Sequence, residues 1–188
     1  MEKELVNQLN WVDVFVFIAF LRIILISYRH GFVIEVFQLL GTIASIFIAF
    51  HSYDKLASSI SSHSPIPIDF SSFICFVFLI VLILVLFKFC RDGFLFVIKI
   101  QPLAVLDKWG SVALGVIRAA LVSSLIIVTL LLSTIGYFQQ SAERSFSSRY
   151  FLELAPRTYA FIFDNIYSKF SLQEEANTAA FKALEKKQ

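Results

Sequence analysis

Residues 73–87 read FICFVFLIVLILVLF, fifteen positions with no polar group stronger than a thiol. Each Leu, Ile, Phe or Val near a helix centre is worth roughly −0.3 to −0.6 kcal/mol on the insertion scale, so the run alone favours the bilayer by several kcal/mol. Residues 66–72 and 88–90 extend it to the ~20 residues a helix needs to cross hydrocarbon. Outward from this stretch, the sequence shows apolar blocks at residues 12–27, 33–50, 70–90 and 111–138. Unpaired backbone groups cost several kcal/mol each in lipid, so all four blocks are expected to be helices. The expected fold is all-α: a four-helix transmembrane bundle over residues 10–138 with a short amphipathic C-terminal helical tail over residues 139–188.

The composition agrees. Of 188 residues, 58% are hydrophobic and 16% charged, against about a quarter charged in soluble domains. A net charge of +2, without a basic stripe carrying interleaved aromatics, excludes a nucleic-acid partner. The lipid bilayer is the first expected partner, followed by other membrane or envelope proteins and a homo-oligomer. Cys75 and Cys90 lie on one expected helix about 22 Å apart and cannot pair with each other. The opening MEKELVNQLNWVDV has two glutamates against one lysine, unlike a cleaved signal peptide, so the first helix is expected to remain in the mature protein.

The connections set the topology. Residues 28–32 are too few for anything but an antiparallel hairpin, with Gly31 expected to close it at positive φ. Residues 51–69, with paired serines and with Pro65 and Pro67, read as a polar loop, and 91–108, with Gly93 and Pro102, as an extension of the third helix into the headgroups followed by a short interfacial piece. Trp11 and Trp109 stand at block edges, where indole favours the interface. Residues 141–170 read as one or two helices lying on the membrane or on the bundle, separated at Pro156. Ser171-Leu172-Gln173-Glu174 has the form of a capping box opening a terminal helix. Arg29, Lys88, Arg91, Lys99 and Lys108 fall on one side of the bundle, and Lys3, Lys55, Arg144 and Arg149 on the other. The concentrated basic run on the first side points to both termini outside the cytoplasm.

Asp13, Arg22, Glu35 and Arg118 are ionisable groups inside apolar blocks, where each costs about 2.5–3.5 kcal/mol at a helix centre. Arg22 and Glu35 lie at similar depth on neighbouring antiparallel helices and are expected to meet, with Arg118 as a second candidate partner for Glu35. Such groups either form structural ion pairs or line a polar pocket. Ser111, Gly115, Ala119 and Ser123 form a small-residue ridge, and Gly41, Ser45 and Ala49 another. The second and fourth helices are therefore expected to pack closely. Arg118 lies about 20° from Ser111 around the helix, on the ridge side.

Catalytic patterns are missing. His30, His51 and His63 lack metal-ligand spacing, and the chain contains no HExxH, GxSxG or Walker loop. Asp13 and Glu35 fall toward opposite leaflets and cannot act as a carboxylate pair. No catalytic residue, cofactor or metal is expected, and the chain is not read as an enzyme.

Three segments resemble the colicin V production (CvpA) family of bacterial inner-membrane proteins. Trp11-Val12-Asp13 looks like its opening hydrophobic-Asp step. Tyr28-Arg29-His30-Gly31-Phe32-Val33-Ile34-Glu35, followed by Leu40-Gly41, looks like its Arg-rich Gly-Phe-x-x-Glu turn. Leu106-Asp107-Lys108-Trp109-Gly110-Ser111-Val112-Ala113-Leu114-Gly115-Val116-Ile117-Arg118 looks like the Asp-basic element opening its last span. His30 replaces the arginine that often precedes the glycine, and Arg22 is not an element of the pattern. The resemblance implies a multi-pass protein of the bacterial cytoplasmic (inner) membrane that supports toxin production or secretion and envelope homeostasis. Some relatives carry an extracytoplasmic protease domain after the fourth helix, which implies the same orientation as the basic residues do. The residues singled out are Asp13, Arg22, Arg29, Gly31, Glu35, Gly41, Asp107, Gly110, Gly115 and Arg118. A membrane scaffold or accessory subunit is the first expectation, and an oligomeric channel or transporter subunit with a path lined by Glu35 and Arg118 the second.

Overall fold

A computed structural model of the chain describes residues 10–63, 65–97, 104–167 and 169. The expected terminal helix after Ser171, together with Lys3, Lys99 and Pro102, lies outside the described residues. Four long helices, α1 (Trp11–Arg29), α2 (Phe32–His63), α3 (Ile68–Val97) and α4 (Ala104–Leu132), are followed by three short ones, α5 (Gly136–Glu143), α6 (Phe146–Phe151) and α7 (Leu154–Ile162), and a π-helical turn, Phe163–Tyr167. All four long helices are long and apolar enough to cross a membrane, and no strand occurs among the described residues. α2 packs along α3, while α4 packs against both α1 and α2. Phe17, Leu25, Phe78 and Leu86 remain exposed on the perimeter, as side chains solvated by lipid would be.

At 1.5 Å per residue, α1 is about 28 Å long and just spans the hydrocarbon, whereas the 32 residues of α2 reach about 48 Å. The excess is the segment whose serines and prolines suggested a loop; it is instead helical as far as His63. Packing keeps it so, and the serines do not prevent it. Ile46, Ala49, Phe50, Tyr53 and Ala57 continue one buried stripe at helical spacing, with the Tyr53 ring edge-on to Phe76 of α3 at 5.7 Å. The hydroxyls of Ser58 and Ser62 donate to carbonyls three residues back, at 2.9 Å and 2.8 Å, bonds that the helix accommodates.

Three further expectations are corrected. Among the described residues no separate interfacial piece precedes the fourth span, because α4 already begins at Ala104 and carries Asp107 and Lys108 in its first turns. The fourth block does not run unbroken to Phe138: α4 stops at Leu132, and the Ile135 N–H turns back to the Ser133 hydroxyl at 3.2 Å. Pro156 does not separate helices. It sits in the first turn of α7, where an N–H has no intrahelical acceptor to lose.

The short helices dock on the bundle. The fully buried Ser124 hydroxyl of α4 donates to the Leu152 carbonyl at 3.1 Å and accepts the Ala155 N–H at 2.8 Å, satisfying both groups at the α6–α7 break. Tyr159 of α7 is also fully buried, stacked on Phe50 at 5.8 Å and bonded to His51 at 3.3 Å. At the start of α1, Asp13 is 4% exposed and, among the described residues, forms no ion pair. Its carboxylate accepts from the Asn10 N–H at 3.0 Å, the Ser145 hydroxyl at 2.6 Å and the Ser147 N–H at 2.7 Å. It therefore closes a capping box on α1 and caps α6, so helix N-termini take the place of a counter-ion. Trp11 beside Tyr137 and Phe138 marks this end, and Trp109, 77% exposed, marks the other.

Candidate functional site: a buried ion pair beneath the α1–α2 turn

The turn joining α1 to α2 comprises only His30 and Gly31. His30 is extended at φ −86°, and no described glycine has positive φ, so Gly31 is not needed for the conformation expected of it. It is needed for proximity, because a Cβ there would lie 2.8 Å from the Asp107 carboxylate. That carboxylate accepts the Phe32 N–H at 2.6 Å. Asp107 thus satisfies a donor at the N-terminus of α2 from another helix and places a negative charge at the positive end of its dipole. One turn further along α4, Gly110 admits the Phe32 ring, which a Cβ would meet at 2.7 Å.

One turn beneath this clasp lies Glu35, with no exposed surface. Its Oε1 is 2.7 Å from Nε of Arg118 on α4, whose side chain is 13% exposed. The N–H is not aimed squarely at the oxygen, so the contact is an ion pair without a well-formed hydrogen bond, and Glu35 Oε2 has no hydrogen-bond partner. Arg118 also donates through Nη1 to the Gln38 amide oxygen and through Nη2 to the Ser27 hydroxyl at 3.4 Å. Ser27 anchors itself to the Ile23 carbonyl at 2.8 Å. Gly115 makes the arrangement possible: a Cβ there would overlap the Ser27 side chain and approach Glu35 Oε1 to 3.6 Å.

Arg22 does not join the pair. It is exposed, and its position five residues before Ser27 puts it about 140° around α1 from the face that meets α4. Depth matched Glu35, but direction around the helix did not. Arg29 is likewise exposed, in the last turn of α1 where a cation complements the dipole. Asp13 belongs to the opposite end of the bundle. Gly41 is buried against Phe87 of α3, which a Cβ would meet at 2.9 Å. α2 and α4 do pack together, but the two small-residue ridges do not face each other at their glycines: Gly41 serves α3, and Gly115 serves α1.

Ser27 and Gln38 both hold the Arg118 guanidinium; the sequence does not single out Ser27, and marks Gln38 only by its place about 60° from Gly41, on the ridge side of the second helix. Gln38 follows Glu35 by three residues, the spacing that shares a helix face. Ser27 had no signal beyond being a small polar residue next to the turn. Among the described residues, no group of three His, Cys, Asp or Glu side chains could hold a metal ion. Cys75 is buried and Cys90 exposed, both as free thiols.

Gly115→Ala is expected to destabilise the protein by about 1–3 kcal/mol through overpacking, with Ser27→Gly restoring much of the loss; unfolding of both variants in bicelles would show it, and additive losses would contradict the contact. His30, whose Nδ1 is buried without a partner, is held below its ordinary pKa by burial and then by the charges of Arg91 and Arg118. The unfolded chain therefore takes up the proton first, near pH ~6.5. The stability contributed by neutral His30 is full above that pH and is lost as pH falls toward the folded value. The thermal midpoint is expected to fall with acidification below about pH 6.5, and less steeply in His30→Asn; equal slopes would remove His30 as the cause.

No curated protein and no solved structure matches the chain significantly. The family model described as colicin V production protein matches residues 12–156, from the first residues of α1 through the first turn of α7. The match takes in every singled-out residue, the Asp107 clasp and the Glu35–Arg118 pair. This multi-pass membrane chain belongs to the colicin V production protein family.

Proposed function

We propose that the protein is a non-catalytic scaffold or accessory subunit of the bacterial cytoplasmic membrane that supports toxin production or secretion and envelope homeostasis. The observation that carries this reading is the complete burial of Glu35 against Arg118. A charge lining a solute path must meet water, and Glu35 has no exposed surface, lying between Arg118, Gly115 and the clasp above it. Truncating one member of such a pair strands the other in low dielectric, so the pair fixes the register of α1, α2 and α4. The result is a rigid body suited to presenting surfaces to other membrane proteins. The basic residues Arg29, Lys88, Arg91 and Lys108 cluster toward the turn end, which supports a cytoplasmic position for that end and extracytoplasmic termini.

Two measurements test the reading. Glu35→Cys, in a Cys75→Ser/Cys90→Ser background in intact membranes, is expected to resist membrane-impermeant thiol reagents from both sides. Its labelling would instead support the oligomeric channel or transporter subunit. In a colicin V-producing strain deprived of its own family member, the wild-type chain is expected to restore toxin secretion. Failure to restore it at normal membrane abundance would overturn the proposed role.

A further inference from the structure

The face of Arg118 turned away from Glu35 borders a cavity of about 210 Å³ between α2, α3 and α4. Its lining is divided. Lys88, Arg91, Arg118 and Gln38 supply polar groups, while Phe37 and Phe87 form part of an apolar wall. Glu35 is not among the lining residues. Three cations thus converge on a space whose lining includes no carboxylate, at the end of the bundle marked by the α1–α2 turn.

The donors are only partly used. The Arg118 guanidinium has five N–H groups; one faces Glu35, one is given to Gln38 and one to Ser27. Arg91 uses Nε and Nη2 on the neighbouring Asp92, at 2.8 Å and 2.6 Å, which leaves its Nη1. Gln38 spends its carbonyl oxygen on Arg118, so its amide N–H groups are available. A planar guanidinium with spare N–H groups, a second guanidinium, an ammonium and an amide are suited to a tetrahedral oxyanion. A liquid water takes about 30 Å³, so the space admits one such group with several waters. Basic pockets between transmembrane helices hold anionic headgroups by the same chemistry.

We propose that this cavity binds a phosphate-bearing anion, either the headgroup of an anionic phospholipid entering from the leaflet or a free phosphate from solution. The site goes beyond the scaffold role and stands or falls separately from toxin secretion. Phe37 and Phe87 suit the glycerol and upper acyl chain of a lipid, with the cations on its phosphate. The anion would also offset the mutual repulsion of Lys88, Arg91 and Arg118, and so stabilise the end of the bundle to which it binds.

The full chain in maltoside micelles is titrated with dioleoyl phosphatidylglycerol, with dioleoyl phosphatidylcholine at equal mole fraction, and with inorganic phosphate against chloride at matched ionic strength. The thermal midpoint is read in each case. A rise with phosphatidylglycerol alone is expected and assigns the site to the lipid; a rise with phosphate alone assigns it to a soluble anion. In Lys88→Gln/Arg91→Gln, which leaves the Glu35–Arg118 pair intact, half-saturation should need about tenfold more ligand. Arg149→Gln, at the far end of the bundle, should behave as wild type. An equal response to the zwitterionic lipid, no response to either anion, or a response unchanged by the double substitution overturns the site.

Discussion

A carboxylate with no exposed surface, one turn into a membrane-spanning helix, constrains everything around it. Isolating Glu35 in hydrocarbon would cost more than most single packing contacts return, so α4 must deliver Arg118 to within hydrogen-bonding distance. Several other features follow from that requirement. α1 must approach α4 closely enough for Ser27 to reach the guanidinium, which in turn requires a residue without a Cβ at position 115. Gln38, one turn along from Glu35, takes up a further donor. The turn above must be short, and Asp107 holds it by the first N–H of α2.

The two ends of the bundle meet buried charge in different ways. Beneath the turn, a carboxylate faces a guanidinium. At the start of α1, Asp13 pairs with no cation among the described residues and accepts from backbone and hydroxyl donors around the starts of α1 and α6. Hydrogen bonds of this charge-assisted kind are stronger than neutral ones, which suits a single residue that must both begin one helix and hold the short-helix segment against the bundle. The segment from α5 to α7 is accordingly part of the packed structure, stitched to α4 through Ser124 and capped by buried Tyr159. The family match, which continues to residue 156, includes most of it.

The spans were legible because apolar runs in lipid admit only helices, and the residues of the site because charges in such runs are costly wherever they fall. Sequence distance from the turn gave the depth of Glu35 correctly. It did not give direction around α1, and so offered Arg22 first and Arg118 second, whereas Arg118 is the residue that faces Glu35. Composition misled at residues 51–63, where serines suggest a loop but a stripe from Ile46 to Ala57 keeps the helix packed. The glycines were recognised as important, yet for conformational reasons in the case of Gly31, whereas each of Gly31, Gly41, Gly110 and Gly115 admits a particular side chain from another helix. Which side chain enters which gap is a tertiary fact that one sequence does not contain.

A double-mutant cycle on Glu35→Leu and Arg118→Leu, measured by reversible unfolding in bicelles, tests most directly whether the two charges hold the bundle through each other. Each single change should cost about 3–5 kcal/mol by stranding its partner, and the double change should cost less than either alone. Losses that simply add would mean that the two residues act independently, and would contradict the interaction on which this structure is argued to rest.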